Sequence, residues 1–247
     1  MTPDGVDEAL ARARGFVEAS GGELARLRLA VLLGAAPAAR LAGVVGWRPE
    51  SGVAGALAAL AALDGRHGLR GGEVERAVAW LADVQDADGG WSAASEPARV
   101  VVSGLLAGFL AKASCARPAQ LDRAGAFLAA SWGPERVQGG DFGMLAGYAH
   151  FFAHRPHELA DGALQWCGRE LERGFRARAF DAVRTALVFA RCDAHALPGA
   201  RIAPAELGEA LLAEQAADGG FGLPVAPDAE RVDATLDALV GLRHLRR

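Results

Sequence analysis

The chain has 247 residues, 51% of them apolar and 23% charged, with 26 Lys+Arg against 30 Asp+Glu and a net charge of -4. That length and apolar content supply one large core or two small ones. Without a basic excess the cationic footprint that nucleic acid requires is missing, so nucleic acid is excluded as an expected partner.

Helical signals run from end to end. Segments rich in Ala, Leu, Arg and Glu carry apolar residues at i, i+3 and i+4, and Gly and Pro fall between them. The one β-branched run, Val100, Val101 and Val102, sits inside a longer helical pattern. In chain order the pattern predicts six helix–loop–helix units. The first pairs 6–19 with 22–34, the second 36–45 with 51–63, and the third 71–86 with 96–113. The fourth pairs 119–131 with 141–154, the fifth 157–173 with 179–193, and the last 203–216 with 230–245. A mean repeat of about 40 residues is in the range of stacked helical pairs.

The longest apolar stretches, 53–63 and 100–111, are broken by Gly or Ser. They fall short of the roughly 18–20 residues of a spanning helix, so no transmembrane segment is expected. The opening residues have neither a basic nor an apolar region of the kind a signal peptide carries. Three cysteines, Cys115, Cys167 and Cys192, cannot all pair. A reducing cytoplasm is the expected location.

An open stack of helix pairs needs polar caps at both ends. Neither terminal unit is polar throughout: Leu24, Leu27, Val31, Leu32 and Leu33 at one end match Leu236, Leu239, Val240 and Leu242 at the other. Joining the ends removes both exposed faces. The expected fold is therefore all-α, a single (α/α)6 toroid, a barrel of six helix pairs spanning residues 1–247.

The sharpest motif lies in the third unit: Arg76-Ala77-Val78-Ala79-Trp80-Leu81, then Gln85-Asp86-Ala87-Asp88-Gly89-Gly90-Trp91. The latter half recurs as Gln215-Ala216-Ala217-Asp218-Gly219-Gly220-Phe221. Front halves recur as Arg12-Ala13-Arg14-Gly15-Phe16 and Arg123-Ala124-Gly125-Ala126-Phe127, and Gly139-Gly140-Asp141-Phe142-Gly143 echoes the turn. The full copy resembles the QW repeat of the squalene–hopene and oxidosqualene cyclases, in the terpenoid cyclase and protein prenyltransferase-like superfamily. The Gln amide can bond backbone groups left free at a helix end, and the glycines permit a φ > 0 turn. These residues are read as structural: the motif identifies a barrel and not its chemistry.

The resemblance implies that the second helix of each pair lines a lumen. Those helices would begin near Glu23, Gly52, Glu96, Asp141, Ala179 and Arg231, with their N-termini at one mouth. On the last of them Glu230, Asp233, Asp237 and His244 share a stripe. Val232-Asp233-Ala234-Thr235 resembles the acidic proton-donor motif of class II terpenoid cyclases, Asp-x-Asp-Asp-Thr. Asp233 then matches the donor, while Arg231 and Ala234 replace two aspartates. On the fifth, Phe180-Asp181-Ala182-Val183-Arg184-Thr185 keeps the first aspartate and the threonine, with Val183 at the donor position. Asp233 and Asp181 are thus the candidate catalytic acids. The plainer reading makes Asp233 a charge at a helix N-terminus and Asp181 the partner of Arg184.

Candidate substrate-binding residues are Arg184, Arg99 and Arg231 near helix starts, suited to an anion. Glu96, Asp141, Asp237, Phe142, Tyr148 and Phe189 join them as walls or polar contacts. Tyr148 shares its face with Leu145, Phe151 and Phe152, which reads equally as a core stripe. No cofactor is expected. Val183 stands where a prenyltransferase zinc site would have Cys, and no Asp-Asp-x-x-Asp cluster for magnesium is present.

The leading functional expectation is an isoprenoid-processing enzyme that cyclises a prenyl or terpenoid substrate in an apolar lumen, started by protonation. The alternatives are a non-catalytic barrel binding an apolar ligand or a protein partner, and a subunit like the β chain of prenyltransferases.

Overall fold

The structure, a computed structural model, describes residues 3–64 and 69–246. Among these residues the chain is all-helical, with 69% helix and no strand. No helix among them is long and apolar enough to cross a membrane.

Each of the twelve expected helices is present within a few residues of its predicted position. In chain order they are α1 (Pro3–Ser20), α2 (Glu23–Leu32), α3 (Ala38–Val45), α4 (Gly52–Leu63), α5 (Gly72–Asp83), α6 (Glu96–Lys112) and α7 (Pro118–Ala130). After the four-residue α8 (Pro134–Val137) come α9 (Phe142–His154), α10 (Ala160–Arg176), α11 (Ala182–Arg191), α12 (Pro204–Glu214) and α13 (Asp228–Leu245). Local chemistry sets the starts. Proline occupies the first turn of α6, α7 and α12, where its missing N–H costs nothing. Ser95, Asp141 and Asp181 cap α6, α9 and α11 by accepting the N–H of Ala98, Met144 and Arg184. The cap at Asp181 explains why α11 begins at Ala182 and not at the expected 179.

By packing, the chain forms two compact units: Ala38–Glu170, and Met1–Pro37 together with Leu171–Arg247. In the first, the second helices of three successive pairs, α4, α6 and α9, lie side by side in that order. The helices α3 and α5 rest on α4, and α7 rests on α6. The α6–α9 contact is the closest-knit because Gly104 meets Gly147: a Cβ on Gly104 would stand 2.6 Å from the Gly147 carbonyl carbon. Leu106, Leu110, Leu145 and Phe151 are fully buried in this unit. Each such side chain contributes about 1.5–3 kcal/mol by leaving water.

In the second unit α11, α13 and α2 again lie side by side in that order. The helix α12 rests on α11 and α13, and α1 rests on α13 and α2. Leu207, Leu211, Leu236, Leu239 and Leu242 are fully buried here. The last helix pair of the chain therefore packs against the first as one repeat packs against the next.

Candidate functional site

The two complete turn motifs build the same structure, one in each unit. After α5, the Gln85 amide Nε2 donates to the carbonyls of Gly89 (2.8 Å) and of Gln120 on α7 (3.1 Å). Its Oε1 accepts from Nη2 of Arg123 on α7 at 2.6 Å. After α12, Gln215 Nε2 donates to the carbonyls of Gly219 and of Ala9 on α1, both at 2.9 Å, and Oε1 accepts from Arg12 Nη2 at 2.6 Å. The front halves seen in the sequence are thus the docking partners of the back halves of the preceding repeat. Taking Gln215 to Arg12 crosses 203 residues and joins the end of the chain to its beginning.

A second layer of the turn is also shared. Arg99 on α6 grips Asp88 with two hydrogen bonds (2.8 and 2.6 Å), and Arg231 on α13 grips Asp218 with two of 2.8 Å. Each guanidinium lies 4.6 Å over a ring supplied by the neighbouring helix, Phe127 for Arg99 and Phe16 for Arg231. The backbone N–H of Trp91 donates to Ser103 Oγ, and that of Phe221 to Thr235 Oγ1, each at 2.9 Å. Arg231 and Thr235 therefore serve the turn, which accounts for the arginine and the threonine of the motif that resembles a proton donor. The echo at 139–143 builds no such turn: Gly139 and Gly140 are exposed, and Asp141 caps α9.

These ion pairs have a pH signature. Arg99 holds the Asp88 carboxyl at a pKa of about 2, and Arg231 does the same for Asp218. Both lie below the unfolded value of about 3.9. Their stabilisation is present above that value and is lost as pH falls from about 5 toward 2. Both carboxylates are about half exposed, so each contributes about 1 kcal/mol after solvent screening. Urea midpoints at pH 6, 4 and 3 are expected to fall for the native chain, and to fall less for Asp218→Asn.

The remaining candidate residues fall into two groups. In the unit Ala38–Glu170, exposed Glu96 pairs with Arg136 at 2.6 Å, and Phe142 is half-buried at the start of α9. Tyr148 is buried, and its hydroxyl donates to the Ser131 carbonyl at 2.8 Å. Burial pushes its phenol well above the usual range. Its ring packs edge-on against Trp132 and parallel to Phe152. A groove of about 240 Å³ in this unit is lined by Leu121, Gly125, Phe151, His157 and the Asp122–Arg155 ion pair.

In the other unit Phe189 is buried, Asp181 is spent as the cap of α11, and Arg184 is exposed and lies 3.4 Å from Asp181. Asp233 and Asp237, one turn apart on α13, meet a residue the sequence reading missed. Arg28 of α2 reaches Asp233 with Nη1 at 3.1 Å and Asp237 with Nη2 at 3.9 Å. Asp233 keeps 71% of its side-chain surface, Asp237 33% and Arg28 19%. Burial raises the pKa of Asp237, and the like charge of Asp233 adds to the rise; Arg191 of α11 and Arg28 oppose it. The site is thus a recessed carboxyl, reachable by solvent, on a helix flanked by α2 and α11.

Among the described residues no group of three or more His, Cys, Asp or Glu side chains is placed to hold a metal ion. Comparison with protein-family models, with curated proteins and with solved structures gave no match.

Proposed function

We propose that the chain closes into an (α/α)6 toroid and cyclises an isoprenoid substrate by protonation, in the manner of the class II terpenoid cyclases that its turn motifs resemble. The observation that carries this reading is the Arg28–Asp233–Asp237 cluster. Acid-initiated cyclisation needs a carboxyl that stays protonated in a partly dry site yet can be reached by substrate. Asp237 is two-thirds covered, burial raises its pKa, and a third of its side chain remains open to solvent. Ring closure is supported by the grip of the last repeat's turn on α1, which matches the grip of an internal turn on α7.

In this reading the alkene end of a prenyl chain meets the acid, and the apolar faces of the second helices shelter the cation that forms. The substrate is a small apolar prenyl compound, and no cofactor takes part. The test is incubation of the purified protein with geranyl, farnesyl and geranylgeranyl diphosphates and with squalene, with and without Mg²⁺, read by mass spectrometry. Conversion to an isomer of equal mass that survives Asp181→Asn, but not Asp237→Asn, is the expected result.

A second reading, a barrel that binds an apolar ligand or a protein partner without chemistry, is favoured by one observation. Tyr148, Trp132 and Phe152 are packed on one another, and Tyr148 and Phe152 are buried, leaving little aromatic wall for a cation in that unit. Thermal stabilisation by one prenyl compound, with no product formed, would select it.

A further inference from the structure

We infer that the groove between α7 and the end of α9 binds a free α-amino acid with an apolar side chain. The groove shares no residue with the Arg28–Asp233–Asp237 cluster, so its ligand is independent of any cyclisation.

One glycine opens the groove. Three helices carry the same string: Arg12-Ala13-Arg14-Gly15-Phe16 on α1, Arg76-Ala77-Val78-Ala79-Trp80 on α5 and Arg123-Ala124-Gly125-Ala126-Phe127 on α7. At the third position α1 has Arg14, which pairs with Glu18 on its own helix, and α5 has the buried Val78. On α7 that position is Gly125, and no side chain covers Phe151 of α9 from there. Packing does not demand the glycine. A Cβ at Gly125 would meet only side-chain atoms, with Phe151 Cζ at 3.3 Å and His157 Cδ2 at 3.8 Å. Glycine weakens a helix interior relative to alanine, so α7 keeps this space open at a cost in its own stability.

The space is about 240 Å³. That is below the roughly 300–1,000 Å³ of sites for drug-sized ligands and suits a molecule of an amino acid's size. Its apolar side is Leu121 and Gly125, over the buried ring of Phe151. Its polar side carries both signs of charge. Asp122 Oδ1 accepts from Arg155 Nη2 at 2.5 Å, a bond that engages one oxygen of the carboxylate and one nitrogen of the guanidinium. Asp122 keeps 64% of its side-chain surface and Arg155 31%, so both charges can be reached from solvent. His157 Nδ1 accepts the Leu159 N–H at 3.1 Å, which puts the proton of the neutral ring on Nε2. The Cδ2 edge beside that N–H faces Gly125.

A ligand that answers all of these groups carries an ammonium for Asp122 and a carboxylate for Arg155 and the His157 N–H. It also carries an apolar body for Leu121 and Gly125. A small α-amino acid holds the three within one molecule. A simple apolar acid leaves Asp122 facing a like charge, and a simple apolar amine does the same to Arg155.

The test is an NMR titration of the ¹⁵N-labelled chain with leucine and phenylalanine. Leucinamide, which lacks the carboxylate, and N-acetylleucine, which lacks the ammonium, are run beside them. Leucine or phenylalanine is expected to shift the amides of residues 121–126, 155 and 157–159, and each derivative to bind about 10-fold more weakly than leucine. Gly125→Ala is expected to weaken leucine binding about 10-fold without lowering the Tm, because the methyl fills the groove while the helix gains propensity. Arg155→Gln, at the rim, is expected to bring leucine down to the level of leucinamide, and it decides the matter should Gly125→Ala not fold. No shift at these amides with either amino acid would overturn the inference. Equal binding of leucinamide or N-acetylleucine would overturn it too, by showing that a single charge, as at a peptide end, is what the groove reads. Native affinity in both Gly125→Ala and Arg155→Gln would place the ligand elsewhere.

Discussion

Trp91→Ala is expected to lower the unfolding free energy by about 4 kcal/mol, in the range for truncating a fully buried aromatic. Trp91 has no exposed surface, and its indole N–H donates to the Leu81 carbonyl at 2.8 Å, back across the turn to α5. Truncation opens a cavity between α5 and α6 and leaves that carbonyl without its donor. The equivalent position in the other unit shows what can be spared. Phe221 is also fully buried, and its backbone makes the same bond to a hydroxyl, but it has no indole N–H. Trp91→Phe therefore copies a solution the chain already uses, and is expected to cost about 1–2 kcal/mol for the lost hydrogen bond and volume. Urea unfolding of both variants gives the comparison. An alanine variant no less stable than the phenylalanine one would mean that the ring does not hold the turn.

The helices were legible because each is signalled locally, by period, proline, cap and glycine; their positions required no knowledge of the partner helix. The turn motif was legible as a string, but not as a joint. Arg123 and Phe127 lie in the repeat after Gln85, and Arg12 and Phe16 lie at the opposite end of the chain from Gln215. Only packing reveals that a back half is completed by the next repeat's front half. The same limit hid Arg28. On α2 it stands between buried Leu27 and Leu29 and has no motif around it. Its meaning comes from Asp233, 205 residues away. Conversely Arg231 and Arg99 drew attention as cations at helix starts, and the structure commits both to turn aspartates. A charge beside a glycine turn is neutralised by that turn before it can serve a ligand. The rule could have been read from Asp88 and Asp218, which precede the glycines in both copies.

Gly89→Ala and Gly219→Ala are each expected to destabilise by about 3 kcal/mol, because two penalties coincide at each position. Both residues have φ near +90°, at +96° and +89°, where a Cβ is strained in any surroundings. In addition a Cβ on Gly89 would stand 2.1 Å from the Arg123 carbonyl oxygen of α7, and one on Gly219 would stand 2.4 Å from the Arg12 carbonyl oxygen of α1. Backbone on both sides cannot yield as a side chain would. Gly139 is the control: its φ is +89°, yet nothing lies within 4 Å of its Cβ position. Gly139→Ala should then cost about 1 kcal/mol, from the backbone alone. Hydrogen exchange separates the two severe variants by place. Gly89→Ala is expected to release amides of α7, and Gly219→Ala those of α1, at opposite positions in the sequence. Faster exchange at α1 in Gly219→Ala would show that the chain's first helix is held by its last repeat. Unchanged exchange there would mean that the seam between the two ends is carried by the α1–α13 apolar contact, with the turn as an accessory.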